Sequence, residues 1–348
     1  MAAARLTGNA MLDTLAIALA ERGLVPDAAI RAGIRHVLRR RVRDELRLDR
    51  RAAFESELDA SPIALLPEHA NRQHYDVPAE LFELTLGPQL KYSACLFERP
   101  DATLGEAEEA MLALTAQRAR LADGQRILDL GCGWGSLSLW IARRFPRARV
   151  LAISNSASQR AFIEARAPRN LEVRTVDVNE LDLDERFDRV VSVEMFEHVR
   201  NHAALLERTA RWLDDQGELF VHHFCHRTLT YPYETAGSDD WMARHFFTGG
   251  IMPSADLLTR HQRHLRVRER WLVNGLHYAR TLRAWLANLD RNAAAALPVL
   301  ARAYPPGTER RWLMRWRIFH LACAELFATG GGEEWLVAHY RFERRSRT

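Results

Sequence analysis

The run Glu194-Met195-Phe196-Glu197-His198 sets two carboxylates and an imidazole within five residues. It follows an apolar stretch, Phe187–Val193, that reads as a central strand, so these groups stand at a strand's carboxyl end, where open α/β sheets bind their ligands. Carboxylate and imidazole together are equipped to orient a cation and to accept its proton. The other reading, exposed loop charges or acidic residues at a helix N-terminus, stays open. His222 and His223 end a further strand candidate and point to opposite faces, so one of them can reach the same site while the other packs outside it.

A second constellation is Ile127-Leu128-Asp129-Leu130-Gly131-Cys132-Gly133-Trp134-Gly135-Ser136. A short apolar strand runs into glycines at alternate positions, and a helical pattern begins at once. Such a loop turns sharply and lets a ligand lie against main-chain N–H groups. A dinucleotide pyrophosphate favours the longer G-x-G-x-x-G spacing. The shorter G-x-G-x-G of Gly131, Gly133 and Gly135, with Asp129 at the strand end, suits S-adenosylmethionine (SAM), whose amino group Asp129 would accept. The next strand ends near Asn155, with Gln159 one turn later, and these are neutral partners for ribose hydroxyls. Asn155 as the cap of a helix from Ser156 is the alternative, and both can hold. Asp177, ending the third strand, suits the adenine exocyclic amine.

Positioning these groups requires a class I SAM-methyltransferase (Rossmann-like) α/β fold. From Arg126 the chain alternates strands (126–130, 150–154, 171–176, 187–193, 218–223) with helices (137–145, 158–167, 203–213), the pattern of a mostly parallel sheet covered on both faces. Residues 1–73 read as an N-terminal helical arm with breaks at Pro26 and Pro62. Residues 74–348 read as the methyltransferase domain, its donor-binding core at about 100–235 and a helical lid with the last strands at about 236–348. His74-Tyr75-Asp76-Val77-Pro78 opens a helix near Leu81, and Leu90–Phe97 leads into another at Ala107–Leu121. Further on, a strand at Leu265–Trp271, a helical region at Arg280–Phe327 and an edge strand at Glu334–Phe342 are expected. Aromatics crowd this last third, and Phe247, Tyr278 and Trp316, together with His222, are read as an apolar substrate pocket.

Composition narrows the class. At 47% hydrophobic and 27% charged residues the chain has ample core. No apolar run approaches the ~20 residues needed to span a bilayer, and the acidic N-terminal patch argues against a secretory signal. Cys95, Cys132, Cys225 and Cys323 are scattered without C-x-x-C pairs, so no metal site of zinc spacing is expected, and reduced thiols point to the cytoplasm. Lys91 is the sole lysine among 49 basic residues. That bias reads as a GC-rich, bacterial genome, not as a nucleic-acid-binding surface. The basic stretch Arg35–Arg51 carries Ile34, Val37, Leu38, Val42 and Leu46 at helical spacing. A solvated amphipathic face and a peripheral membrane contact are both open, and the arm is a candidate homodimer contact.

From His74 onward the chain resembles the cyclopropane-fatty-acid synthase-like SAM methyltransferases. Within them it is most similar to the plant benzylisoquinoline-alkaloid branch typified by coclaurine N-methyltransferase. The resemblance rests on Gly87–Ser93, Leu128–Ser136, Glu194–Val199, Val221–His226, Phe246–Gly250 with Met252–Ser254, Trp271–Tyr278 and Glu333–Trp335. It implies SAM contacts at Tyr92, Ser93, Gly131, Asn155, Gln159 and Asp177, and an active-site role for Glu197 and His198. In the synthases proper a cysteine, a glutamate, a histidine and a tyrosine hold a bicarbonate base. Glu197, His222 and Tyr278 resemble three of these, but Ala94 stands at the cysteine position and Glu194 replaces a small residue.

The expected reaction is methyl transfer from SAM to an apolar aromatic amine. In this reading Glu197 and His198 orient the ammonium and accept its proton, and Glu194 supports the negative charge. The rival is methylene transfer to an unsaturated lipid acyl chain through bicarbonate. A third reading is a degenerate SAM-binding protein.

Overall fold

The computed structural model describes residues 14–65, 77–233 and 241–345. The expected helix opening at His74–Asp76 lies outside these residues. A seven-stranded sheet runs in the order β3-β2-β1-β4-β5-β9-β8. Its strands are β1 (Arg126–Leu130), β2 (Arg149–Ser154), β3 (Leu171–Thr175), β4 (Phe187–Val193), β5 (Leu213–His226), β8 (Leu265–Val273) and β9 (Trp335–Arg344). Two short strands, β6 (Tyr231–Pro232) and β7 (Ile251–Met252), pair with each other apart from it. Strands β1 to β5 pair in parallel, and β9 lies antiparallel between β5 and β8. The final strand is therefore interior, correcting the edge expected for Glu334–Phe342. Residues Trp335–Phe342 are all buried, as a central strand demands. At this end of the sheet the edge is β8, whose run Arg266, Arg268, Glu269 and Arg270 blunts further pairing.

Helices Ser136–Arg144, Ala157–Glu164 and His202–Trp212 cover the parallel strands, within a few residues of expectation. Leu104–Arg118 begins with a reciprocal cap, Thr103 and Glu106 each accepting from the other's main-chain N–H. The region expected as one helical stretch at 280–327 divides into Gly275–Arg291, Ala293–Ala303 and Glu309–Ala328. The arm helix Asp27–Leu48 packs on Glu309–Ala328, where Glu325 accepts from both Arg31 and Arg35, at 2.8 and 2.7 Å. Asp27 pairs with Arg317 of the same helix. Of the arm's apolar stripe, Ile30, Ile34, Leu38 and Val42 pack on the body of the protein, while Leu46 stays exposed. No helix among the described residues is long and apolar enough to cross a membrane.

Candidate active site

Strand order reverses between β1 and β4, and the segments leaving these two strands face each other across the crevice so formed. The main-chain N–H groups of Gly131 and Cys132 both donate to the carbonyl of Ile153 at the end of β2, folding the loop back over the sheet. Gly131 and Gly133 take left-handed backbone, φ 84° and 53°, which favours glycine. A Cβ on Gly133 would meet no protein atom within 4 Å, so this position opens on the crevice. A Cβ on Gly131 would lie 2.6 Å from Met195 Cγ, and one on Gly135 2.6 Å from Ile163 Cγ1. Gly135 borders no cavity and serves helix packing, a correction to its reading as a ligand contact.

Two cavities meet at the crevice. The larger, about 560 Å³, is walled by Tyr92, Ser93, Asp129, Glu194, Phe247 and Tyr278 among many apolar side chains. The smaller, about 100 Å³, is walled by Ser154, Asn155, Val176, Val178 and Thr248. Gly131, Gly133, Gln159, Glu194 and His198 border both.

The residues fit SAM. Asp129 offers one buried carboxylate, and burial pushes its pKa up to about 6 despite the hydroxyl and N–H of Ser138. Trp134 Nε1 and Ser136 Oγ are buried without hydrogen-bond partners, and both residues line the larger cavity. They are donors free for the carboxylate of an amino-acid tail. Asn155 lines the smaller cavity, while the helix cap is Ser156, whose hydroxyl accepts from the N–H of Gln159. The side chain of Gln159 takes a hydrogen bond from Ser154 at 2.7 Å. Asp177 departs from expectation. Its carboxylate accepts from the N–H of Asn179 at 2.7 Å, and the wall is built by Val176 and Val178. The chain leaves β3 at Thr175 and turns at 178–180, and the Asp177 carboxylate is engaged by that turn instead of facing the wall.

Tyr92 and Ser93 are carried by a segment fixed from beneath. Glu108 accepts from the N–H groups of Gly87, Gln89 and Lys91. Lys91, fully buried, donates through Nζ to Ser93 Oγ and the Ala94 carbonyl. Burial lowers its pKa, opposed by Cys95, Glu194 and Glu108. Glu108 carries no signal in the sequence beyond its place on a helix.

Glu194 is the carboxylate at the junction. Oε1 accepts from the N–H of Ala94 at 2.8 Å and from His222 Nε2 at 3.1 Å, and Oε2 accepts from the Tyr278 hydroxyl at 2.5 Å. Its own N–H donates to the His222 carbonyl, and φ of 49° is a left-handed value. Such a value is uncommon outside glycine and marks imposed geometry. Burial raises its pKa, while Lys91, the Ala94 N–H and Tyr278 oppose the rise.

Glu197 is placed differently from its expected role. It is fully buried and borders neither cavity; Oε1 accepts from the N–H of Phe224 at 2.7 Å and Oε2 has no partner. Burial, and then the charge of Glu194, hold its pKa well above the usual carboxylate range. The reason is the 3₁₀ turn Phe196–His198. Residues three apart eclipse in such a turn, which puts Met195 and His198 on the cavity side and swings Glu197 away. The order of the two glutamates is therefore reversed: Glu194 faces the crevice and Glu197 stands behind it.

His198 sets its ring against Phe247, centroids 4.8 Å apart. His222 is buried behind Glu194 and does not form the pocket wall expected of it. His223 turns to the other face and packs on Tyr340, as the alternation predicts. Trp316 also lies outside the cavity, buried against Phe82, Phe246 and His320. Its helix presents Phe319, Ala322, Cys323 and Leu326 instead, and the arm adds Ile30, Ile34, Val37 and Arg41. The arm's share in this wall was not legible, since a helix that covers a pocket and one that covers a core carry the same periodicity.

Known proteins share this fold and much of this sequence. Residues 66–333 match the family model described as mycolic acid cyclopropane synthetase. The chain is 36% identical over 341 residues to (S)-coclaurine N-methyltransferase of Thalictrum flavum subsp. glaucum, covering 93% of this chain and 94% of that one. It is 29% identical over 314 residues to cyclopropane-fatty-acyl-phospholipid synthase of Escherichia coli K12, covering 90% and 77%. A crystal structure of coclaurine N-methyltransferase bound to N-methylheliamine and SAH superimposes with a TM-score of 0.89 at 35% identity, covering 94% of this chain and 98% of that one. With a glycine loop fitted to SAM and a buried carboxylate facing it, the chain belongs to the mycolic acid cyclopropane synthetase family of SAM-dependent methyltransferases.

Proposed function

We propose that this enzyme methylates the nitrogen of an apolar, aromatic amine. The observation that carries the reading is the Glu194 carboxylate, held by the Ala94 N–H, His222 and Tyr278 where the two cavities meet. SAM supplies an activated methyl group, so the chain's own task is to align the acceptor and free its lone pair. An alkylamine is mostly protonated near neutral pH and cannot attack. Glu194 pairs with that ammonium, and His198, bordering both cavities, accepts its proton. A cation beside Glu194 also offsets the cost of burying the carboxylate. The largely apolar walls of the larger cavity suit a bulky hydrophobic body, and its volume is in the usual range for small-molecule sites.

The lipid reading has less support. His222 and Tyr278, which by resemblance would hold bicarbonate, are engaged by Glu194, and Ala94 supplies no thiol. A small-molecule substrate, a cytoplasmic location and a bacterial source remain parts of this proposal. The arginine-rich composition supports a bacterial source, which the plant relatives do not. The exposed Leu24, Leu46 and Leu48 of the arm region leave a surface for a homodimer or a peripheral membrane contact.

The test is turnover of labelled SAM with an amine panel and, in parallel, an unsaturated phospholipid extract. Methylated amine formed without bicarbonate supports the reading. Bicarbonate-dependent addition of one CH₂ to phospholipid overturns it.

A further inference from the structure

A chain of hydrogen bonds leads from Glu194 away from the cavities and across the sheet. His222 Nε2 lies 3.1 Å from Glu194 Oε1, His222 Nδ1 3.0 Å from His339 Nε2, and His339 Nδ1 2.8 Å from Arg118 Nη1. Strand register builds it. His222 on β5 and His339 on β9 are direct partners, and Trp271 on β8 is the next in line. The Arg118 guanidinium sits 4.8 Å over the Trp271 ring. Both imidazoles are 0% exposed, whereas Arg118, the last residue of its helix, is half-buried.

Only one distribution of protons satisfies this chain. A guanidinium has donors and no acceptor, so His339 Nδ1 is bare and its proton is on Nε2. That N–H donates to His222 Nδ1, which leaves the His222 proton on Nε2, donating to Glu194. A second proton on either ring would set two hydrogens face to face.

We propose that Arg118 and His339 are positioning residues that lock His222 as the Nε2–H tautomer and so keep Glu194 ionised and aimed at the crevice. The proposal rests on the reading of Glu194 as the ammonium's partner. Burial holds both histidines well below the ordinary imidazole range, which keeps them neutral. Lys91 faces Glu194 and both rings, Tyr278 and Cys323 face Glu194 from the lid helices, Glu197 from its own turn, and His223 faces the rings from β5. Of these, Tyr278 alone is hydrogen-bonded to a member of the chain among the described residues.

The lock has a direction. A proton arriving on Glu194 cannot pass to His222, whose Nε2 already carries one, and the far end closes on a group that does not release its own. The proton lost by the substrate leaves on the cavity side, past His198, and not through the sheet.

Nitrogen-15 spectra of histidine-labelled full-length protein test this, with His222→Asn and His339→Asn assigning the two signals. Both rings are expected as neutral Nε2–H in the wild type. In Arg118→Leu, His339 should gain Nδ1–H. The acidic limb of kcat, for the best amine of the panel, should move up by about one pH unit, the size of one charge-assisted hydrogen bond, with SAM affinity unchanged. Arg118→Lys, same charge and donor only, should restore both. An Nδ1–H or doubly protonated ring at either position in the wild type overturns the lock, whether or not Arg118→Leu folds. So does an Arg118→Leu enzyme with wild-type tautomers and pH profile. The tautomers are read without substrate, so failure of the amine panel and failure of the lock are separate results.

Discussion

The main-chain N–H of Ala94 donates to Glu194 Oε1 at 2.8 Å. Ala94 holds that carboxylate through its backbone, not its side chain. Glu194 in turn adopts a left-handed φ of 49°, a conformation that costs a non-glycine residue about 1–2 kcal/mol. The strain is sustained by donors converging from three directions: the loop ahead of helix Leu104–Arg118, helix Gly275–Arg291 and β5. The geometry spends stability to hold a carboxylate at the junction of two cavities.

Glu194→Gln should therefore lower kcat by roughly 10²-fold, the lower range for general acid–base assistance, because the ammonium loses the charge that presents it to His198. SAM affinity should change little, because the donor is held by the loop after β1. Calorimetric titration and single-turnover rates separate the two effects. Wild-type turnover in a folded Glu194→Gln protein would remove Glu194 from the mechanism.

Gly133 gives the cleaner test of the donor site. A Cβ there would meet no protein atom within 4 Å, so Gly133→Val should fold, with a cost of about 1–2 kcal/mol from the left-handed backbone, and lose SAM binding. Gly131→Val would collide with Met195 at 2.6 Å, so its expected defect is in folding. Thermal melts with and without SAM distinguish them. Retained SAM stabilisation in Gly133→Val would move the donor elsewhere.

Asp129 predicts a pH dependence. Its pKa in the folded protein is raised by burial to about 6, so below that value the carboxyl is neutral and offers no charge to the donor's ammonium. SAM affinity should rise with pH, by up to about tenfold per unit below the pKa, and level off above it. Asp129→Asn should bind weakly, with that dependence gone. Calorimetry from pH 5 to pH 8 reads both, and a flat wild-type profile would contradict the role.

How much of this could be read in the sequence depends on how local the signal is. The strand–glycine–helix run at 127–136 and the parallel core were legible because turn chemistry and periodicity are properties of neighbours in the chain. The interior position of β9 was not, since an all-buried strand looks the same wherever it is inserted. Glu194 and Glu197 were both visible as candidates. Their order was not, because one 3₁₀ turn decides which faces the crevice, and two residues of sequence do not reveal it. Arg118 and His339 were missed altogether. They meet His222 only through strand register and a helix end, in contacts 117 and 221 residues apart in the chain.

Glu197 supplies the last prediction, and it tests the reversal directly. Burial and the Glu194 charge raise its pKa in the folded state well above the ordinary value, so between the unfolded and folded pKa values the folded protein holds it protonated and the unfolded chain does not. A carboxyl whose folded pKa is raised contributes stability that is complete below its unfolded pKa of about 4.3 and is lost as pH rises towards the folded pKa. The loss runs at up to about 1.4 kcal/mol per pH unit. Glu197→Gln keeps the acceptor for the Phe224 N–H and removes the ionisation. The variant should match the wild type in stability near pH 4, exceed it increasingly towards pH 8, and retain turnover within a few-fold. Urea titrations at a series of pH values read the stability difference. If that difference stays constant with pH while turnover falls about 10²-fold, Glu197 is ionised in the folded enzyme, and it, not Glu194, pairs with the ammonium.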